Sequence, residues 1–183
     1  MKKVILFLSL SLFSLGFSQT KDTISFPKNE IKGNAAYLLG AFPQFSYERI
    51  LNNESSVGVS LGFAIDETIT TTFEITPYYR HFFGKKPAAG FYAEGFTMIN
   101  SVSPEHYNYL YDPATGNSTT TYHKDYYTNF AVGFGLGGKW VSKKGFVFEI
   151  GAGIGRNLTN TTKNDYNDLT FVGRGGITFG YRF

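Results

Sequence analysis

Cysteine is absent from the 183 residues. Its absence removes disulfide frameworks, thiolate metal sites and catalytic cysteines together. An excess of one charge is also missing: 17 Lys and Arg stand against 14 Asp and Glu, a formal net charge of +3. That is too small for an electrostatic nucleic-acid footprint, and no nucleic-acid partner is expected. Beyond Gln19 no apolar run approaches the length of a membrane helix, and no stretch carries a helical period. What the chain has in quantity is 21 Gly, 19 Phe and 13 Tyr. With Thr and the β-branched residues, these favour strands and turns over helices. Hydrophobic residues make up 42%, enough to exclude global disorder. The length suits one domain.

The first segment reads as an address. Met1-Lys2-Lys3 is a positive start, and Val4 to Phe17 is apolar but short for a membrane span. Gly16-Phe17-Ser18 places small residues where a signal peptidase reads, so 1–18 is expected to be a signal peptide cut before Gln19. The alternative is a retained helical anchor. Without cysteine there is no lipid-anchor motif. Residues 19–30 are then expected to be a short periplasmic segment, and 31–183 a barrel.

Period-2 alternation runs along the rest of the chain. At the end, Leu169, Phe171, Ile177, Phe179, Tyr181 and Phe183 share one face, and Thr170, Val172, Arg174, Thr178 and Arg182 share the other. Phe146, Phe148, Ile150 and Ile154 alternate with Val147, Glu149, Gly151 and Gly153. Phe130, Val132, Phe134, Leu136 and Trp140 alternate with Gly133, Gly135, Gly137 and Lys139. The same rule predicts eight strands near 31–41, 44–51, 57–66, 71–83, 90–100, 128–141, 146–156 and 169–183. Most are close to the ten or so residues that a tilted membrane strand needs. Connectors 52–56, 84–89 and 142–145 are short and polar, whereas 101–127 and 157–168 are long. The expected class is all-β, an eight-stranded antiparallel up-and-down transmembrane β-barrel with both termini at the short-turn, periplasmic end.

Parity does not say which face points outward, and a soluble lipocalin-like binding barrel would turn the polar face to water. Three features favour the inverted arrangement. Glycine crowds the polar face, as a narrow interior that mixes large and small side chains requires. Polar-face charges balance: Lys32, Arg80, Lys139, Arg174 and Arg182 against Glu48, Asp66, Glu74, Glu94 and Glu149. Aromatics gather near strand ends on the apolar face, with Tyr79, Phe83, Phe91, Trp140, Phe146 and Tyr181 toward the short turns. Phe45, Phe63, Phe73, Phe130 and Phe171 lie toward the loops, a pattern of two interfacial girdles. The ten charged residues are therefore expected to form a linked network that fills and closes the lumen, because isolated buried charge is costly.

The ending Gly180-Tyr181-Arg182-Phe183 resembles the C-terminal strand signal of bacterial outer-membrane proteins. That resemblance implies that Phe179, Tyr181 and Phe183 are read by the barrel-assembly machinery. Phe45-Ser46-Tyr47-Glu48, Tyr78-Tyr79-Arg80-His81-Phe82-Phe83, Gly90-Phe91-Tyr92-Ala93-Glu94 and Gly137-Gly138-Lys139-Trp140 resemble an uncharacterised family of small outer-membrane barrels related to the OmpA/OmpX type. The likeness covers roughly 31–183. It implies an outer-membrane location and lipid contact, and supplies no catalytic residue.

Two enzyme motifs match in letters only. Gly58-Val59-Ser60-Leu61-Gly62 fits the nucleophile elbow, but strand alternation runs through Ser60 and no helix follows. Gly133-Phe134-Gly135-Leu136-Gly137-Gly138 fits a dinucleotide fingerprint, but Lys139-Trp140-Val141 continues the strand. Lipid A-modifying barrels use a histidine near the outer rim. Here His81 lies toward the short turns, and His106 and His123 sit in the long loop without a serine partner pattern or metal-ligand spacing. No cofactor and no metal are expected.

Segment 101–127 is the part most open to function. Tyr107, Tyr109 and Tyr111 alternate, Asp112 to Asn117 reads as a turn, and Tyr122, Tyr126 and Tyr127 lie on the return. A hairpin that extends beyond the barrel would offer strand edges and tyrosine anchors to an unidentified surface ligand. The leading reading is a monomeric, non-enzymatic structural or surface-interaction barrel. A small-solute pore is the runner-up, followed by a lipid A-modifying enzyme and the soluble binding barrel.

Overall fold

A computed structural model describes residues 26–103, 105–112, 116–124, 126–159 and 170–183. The expected signal peptide lies outside the described residues, as do most of 19–30, the tip at 113–115 and residues 160–169. The strands are β1 (Asn29–Asn34), β2 (Gln44–Ile50), β3 (Ser55–Phe63), β4 (Thr71–Phe82) and β5 (Gly90–Val102). They continue as β6 (Glu105–Asp112), β7 (Asn117–Lys124), β8 (Tyr127–Val141), β9 (Phe146–Asn157) and β10 (Phe171–Arg182). One short helix, α1 (Ala35–Leu39), follows β1.

Eight of the strands close into an antiparallel barrel in the order β1-β10-β9-β8-β5-β4-β3-β2. β6 and β7 form a separate two-stranded sheet, so the long connector between β5 and β8 is a hairpin. The longest ladder joins β5 to β8, from Gly90 opposite Lys139 to Val102 opposite Tyr127. The shortest are the two that flank β1: Glu30 opposite Arg182 to Asn34 opposite Thr178 on β10, which closes the barrel, and Asn29 opposite Arg49 to Gly33 opposite Phe45 on β2. Beyond it, the Phe183 amide donates to Asn29 O at 2.8 Å and the Asn29 amide donates to Phe183 O at 3.0 Å.

The barrel is apolar outside and polar inside. Phe134 and Leu136 are 65% and 50% exposed, whereas Glu48 is fully buried and Lys139 is 1% exposed. Aromatic neighbours flank the outer band at the short-turn end: Phe83 and Phe91 centroids are 5.8 Å apart, Trp140 and Phe148 5.6 Å, and Phe146 and Tyr181 5.8 Å. Glycine on the inner face makes room for rings that cross the lumen. A side chain at Gly58 would overlap the Tyr78 ring, and one at Gly137 would overlap the Tyr92 hydroxyl.

Two expectations are corrected. The first predicted strand, 31–41, is not one strand: β1 starts at Asn29, stops at Asn34, and α1 follows. The Asn34 side chain accepts from the Tyr37 amide, which caps a run of Ala and Leu with high helix propensity. The third predicted strand, 57–66, ends at Phe63. Asp66 is therefore not a lumen residue but an exposed loop residue. Its carboxylate accepts from the Thr68 amide at 2.8 Å and the Thr68 hydroxyl at 2.7 Å, a local turn bond that competes with the strand ladder. Those bonds hold the Asp66 carboxyl below the usual aspartate range.

Candidate functional site

Strand alternation aims the inner positions of seven strands at one another. β1 supplies Glu30 and Lys32, β2 Glu48, β4 Arg80, β5 Glu94, β8 Lys139, β9 Glu149, and β10 Arg174 and Arg182. Several are direct cross-strand partners: Glu30 with Arg182, Arg80 with Glu94, and Lys139 with Glu149.

A continuous path of ion pairs runs along the lumen. At the short-turn end, Arg182 Nε donates to Glu30 Oε1 at 2.7 Å. Glu30 Oε2 accepts from Lys139 Nζ at 2.8 Å, and Lys139 also donates to Glu48 Oε1 at 2.6 Å. Lys32 donates to Glu48 and, at 2.8 Å, to Glu149. Arg80 Nη1 reaches Glu48 at 2.8 Å and Glu149 at 3.0 Å, while its Nε donates to Glu94 at 2.7 Å. Arg174 Nε completes the path to Glu94 at 2.6 Å, and Arg174 Nη2 donates to Ser60 Oγ at 3.1 Å.

Neutral groups fill the remaining valences. The Ser56 hydroxyl donates to Glu48 at 2.6 Å, and the Tyr78 hydroxyl does so at 3.2 Å. The Arg80 guanidinium lies 4.5 Å from the Tyr78 ring centroid and 4.4 Å from that of Tyr92, so two π faces sandwich the cation. Buried charge is tolerable only when paired and hydrogen-bonded, and these groups meet both conditions.

The turn at 83–89 folds across the short-turn mouth. Arg182 donates to Pro87 O and Ala88 O, each at 2.8 Å, and Ala88 packs with Ile50, Phe82 and Tyr92. Midway along the lumen, a cavity of about 40 Å³ lies beside Arg80, Glu94 and Arg174, room for only a few waters.

Of the ten charged residues expected inside, eight lie on this path, Asp66 is outside, and Glu74 stands apart. Glu74 is buried near the loop end, where Gln44 donates to it. Glu30 takes the fifth acidic place that had been assigned to Asp66, and sequence reasoning missed it. Its signal was present, since Glu30 and Lys32 alternate around the outward Ile31.

Phe179 and Tyr181 point outward on β10, and Phe183 is exposed just beyond it. Tyr109, Tyr111 and Tyr126 are exposed, and Tyr127 opens β8 half-buried. Tyr107 and Tyr122 oppose each other in the β6–β7 register, as do His106 and His123.

The site offers little chemistry. Glu30, Glu48 and Glu149 approach as three metal ligands would. However, the Lys32 and Lys139 ammonium groups already sit among them, so a metal cation would have to displace fixed charge. The Gly58–Gly62 and Gly133–Gly138 runs lie within β3 and β8, without the strand-to-helix turn that either motif requires.

No family model matches the sequence, and no curated protein matches it. Among solved structures, the chain is similar to the N-terminal β-barrel domain of Pseudomonas aeruginosa OprF, at 15% identity and a TM-score of 0.53. The match covers 86% of this chain and 98% of that one. At this identity the likeness concerns the fold, a β-barrel in both.

Proposed function

We propose that this chain is a non-enzymatic barrel of the bacterial outer membrane, a structural scaffold with a closed, charge-filled lumen that presents the β6–β7 hairpin at the cell surface. The observation that carries the reading is the inversion of polarity, with large apolar side chains outside and the ion-pair path inside. A barrel in water would bury Phe45, Phe134 and Ile177 rather than expose them. Lipid is the solvent that suits this outer face, and the aromatic neighbours at its edge suit the interface. Barrel closure supports the same reading, because a closed sheet leaves no backbone edge unpaired in hydrocarbon. The termini and short turns then face the periplasm, and the β6–β7 hairpin faces outward. The exposed C-terminal aromatics are the surface offered to the assembly machinery. Tyr109 and Tyr111 are the contacts offered to a surface ligand.

Membrane fractionation, with gel mobility compared before and after heating, tests the location. A barrel in the outer-membrane fraction that migrates differently unheated is the expected result, and a soluble periplasmic protein overturns it. Single-channel recording tests the closed lumen, where steady conductance would favour the small-solute pore. A change in lipid A mass with expression of the protein would favour the enzyme.

A further inference from the structure

The strongest unassigned feature is a cavity of about 380 Å³ at the loop end of the barrel, beyond the charge path. That volume falls within the usual range for small-molecule sites. Tyr37, Phe42, Met98 and Val172 contribute its apolar walls. The Tyr37 and Phe42 rings meet edge to face at 5.9 Å, a stiff aromatic side.

Two polar groups on the wall lack what burial demands. Glu74 is 5% exposed, and among the described residues its hydrogen-bond partner is Gln44 and no Lys or Arg pairs with it. Gln44 in turn accepts from Asn34 at 3.0 Å, so the Gln44 amide is already committed. The neighbouring cation, Arg174, is engaged by Glu94 and Ser60. Asn100 is 4% exposed, and its Oδ1 has no hydrogen-bond partner. Both vacancies are acceptors. A buried acceptor left unpaired is costly, and a buried carboxylate without a cation more so.

We propose that this cavity is a binding site for a small amphipathic cation, a primary ammonium or amidinium on an aromatic or compact apolar body. The cationic head donates to Glu74 and Asn100 Oδ1, and the body packs between the Tyr37–Phe42 side and the Met98–Val172 side. The site would supply the direct ion pair that Glu74 lacks among the described residues, where Arg174 acts on it only from a distance. It lies apart from that network and does not depend on whether lipid or water surrounds the barrel.

The test uses isotope-labelled full-length protein refolded into phospholipid nanodiscs and three probes of similar shape: phenethylammonium, 2-phenylethanol and phenylacetate. Phenethylammonium should saturably shift the amide resonances of Met98 and Asn100 and the Asn100 side-chain amide. It should bind about tenfold more tightly than the alcohol, as one charge-assisted hydrogen bond provides. Phenylacetate should leave those signals unmoved. Glu74→Gln, which keeps the shape, should erase the advantage of the ammonium and leave the alcohol unaffected. Equal binding of ammonium and alcohol overturns the proposal, as do shifts confined to the outward Trp140 indole or a Glu74→Gln protein that keeps the preference. The three-probe comparison on the unsubstituted protein decides the matter even if the variant does not refold.

Discussion

Glu48 gathers more of the lumen than any other side chain on the charge path. Lys32, Lys139, Arg80, Ser56 and Tyr78 all donate to it. Glu48→Ala removes that acceptor and leaves Lys32, Lys139 and Arg80 short of a counter-charge in a fully buried site. The expected cost is about 3–5 kcal/mol, read as a lower urea midpoint in lipid or detergent. Glu94→Ala strands Arg174, but the small cavity beside that pair can admit water to the guanidinium. Its cost should be smaller, about 1–3 kcal/mol in the same measurement. Asp66→Ala should leave the midpoint where it was, because Asp66 is a solvated loop residue. The order Glu48, Glu94, Asp66 is the check, and a cost for Asp66 like that for Glu48 would contradict the structure. The misplacement of Asp66 shows the limit of parity. Alternation says which side a residue would take if the strand continued, and a side chain able to cap its own turn can end the strand first.

Strands were legible where alternation was reinforced by bulk on one face and glycine on the other. Trp140 with Lys139, and Ile150 with Glu149, left one arrangement open, and β8 and β9 end within about one residue of expectation. The first strand was less legible, because Asn34-Ala35-Ala36 fits a strand by parity and a capped helix by propensity, and the cap decides it. The inward fold of 83–89 was not legible at all, since it depends on carbonyls that Arg182 finds only after the barrel has closed. Strand β10 carries its own prediction. Phe183 is 54% exposed and joins the structure through its backbone bonds to Asn29. Removing it should change refolding in detergent little, since an exposed ring forfeits little burial. Insertion in cells should fall sharply, measured as heat-modifiable barrel in the outer-membrane fraction. Normal insertion of the truncated chain would remove the assembly role.

At the scale of the molecule, the β6–β7 sheet is paired to itself and not to the barrel wall. Replacing 103–126 with a short Gly-Ser linker should therefore leave the thermal midpoint of the barrel nearly unchanged while any surface adhesion is lost. A large fall in the midpoint would show that the hairpin holds the barrel mouth. Closure of the wall itself is uneven. The β1–β10 ladder pairs only Glu30 to Asn34 with Arg182 to Thr178, far less backbone than the β5–β8 ladder. Yet β1 also carries Glu30 and Lys32, whose ion pairs reach β10, β9 and β8 from within. This short join is thus bolted across its bore. Under load the short backbone ladders beside β1 should open ahead of the longer ones, but only once the ion pairs behind them give, so rupture should register as a zipper that yields only after its clasp.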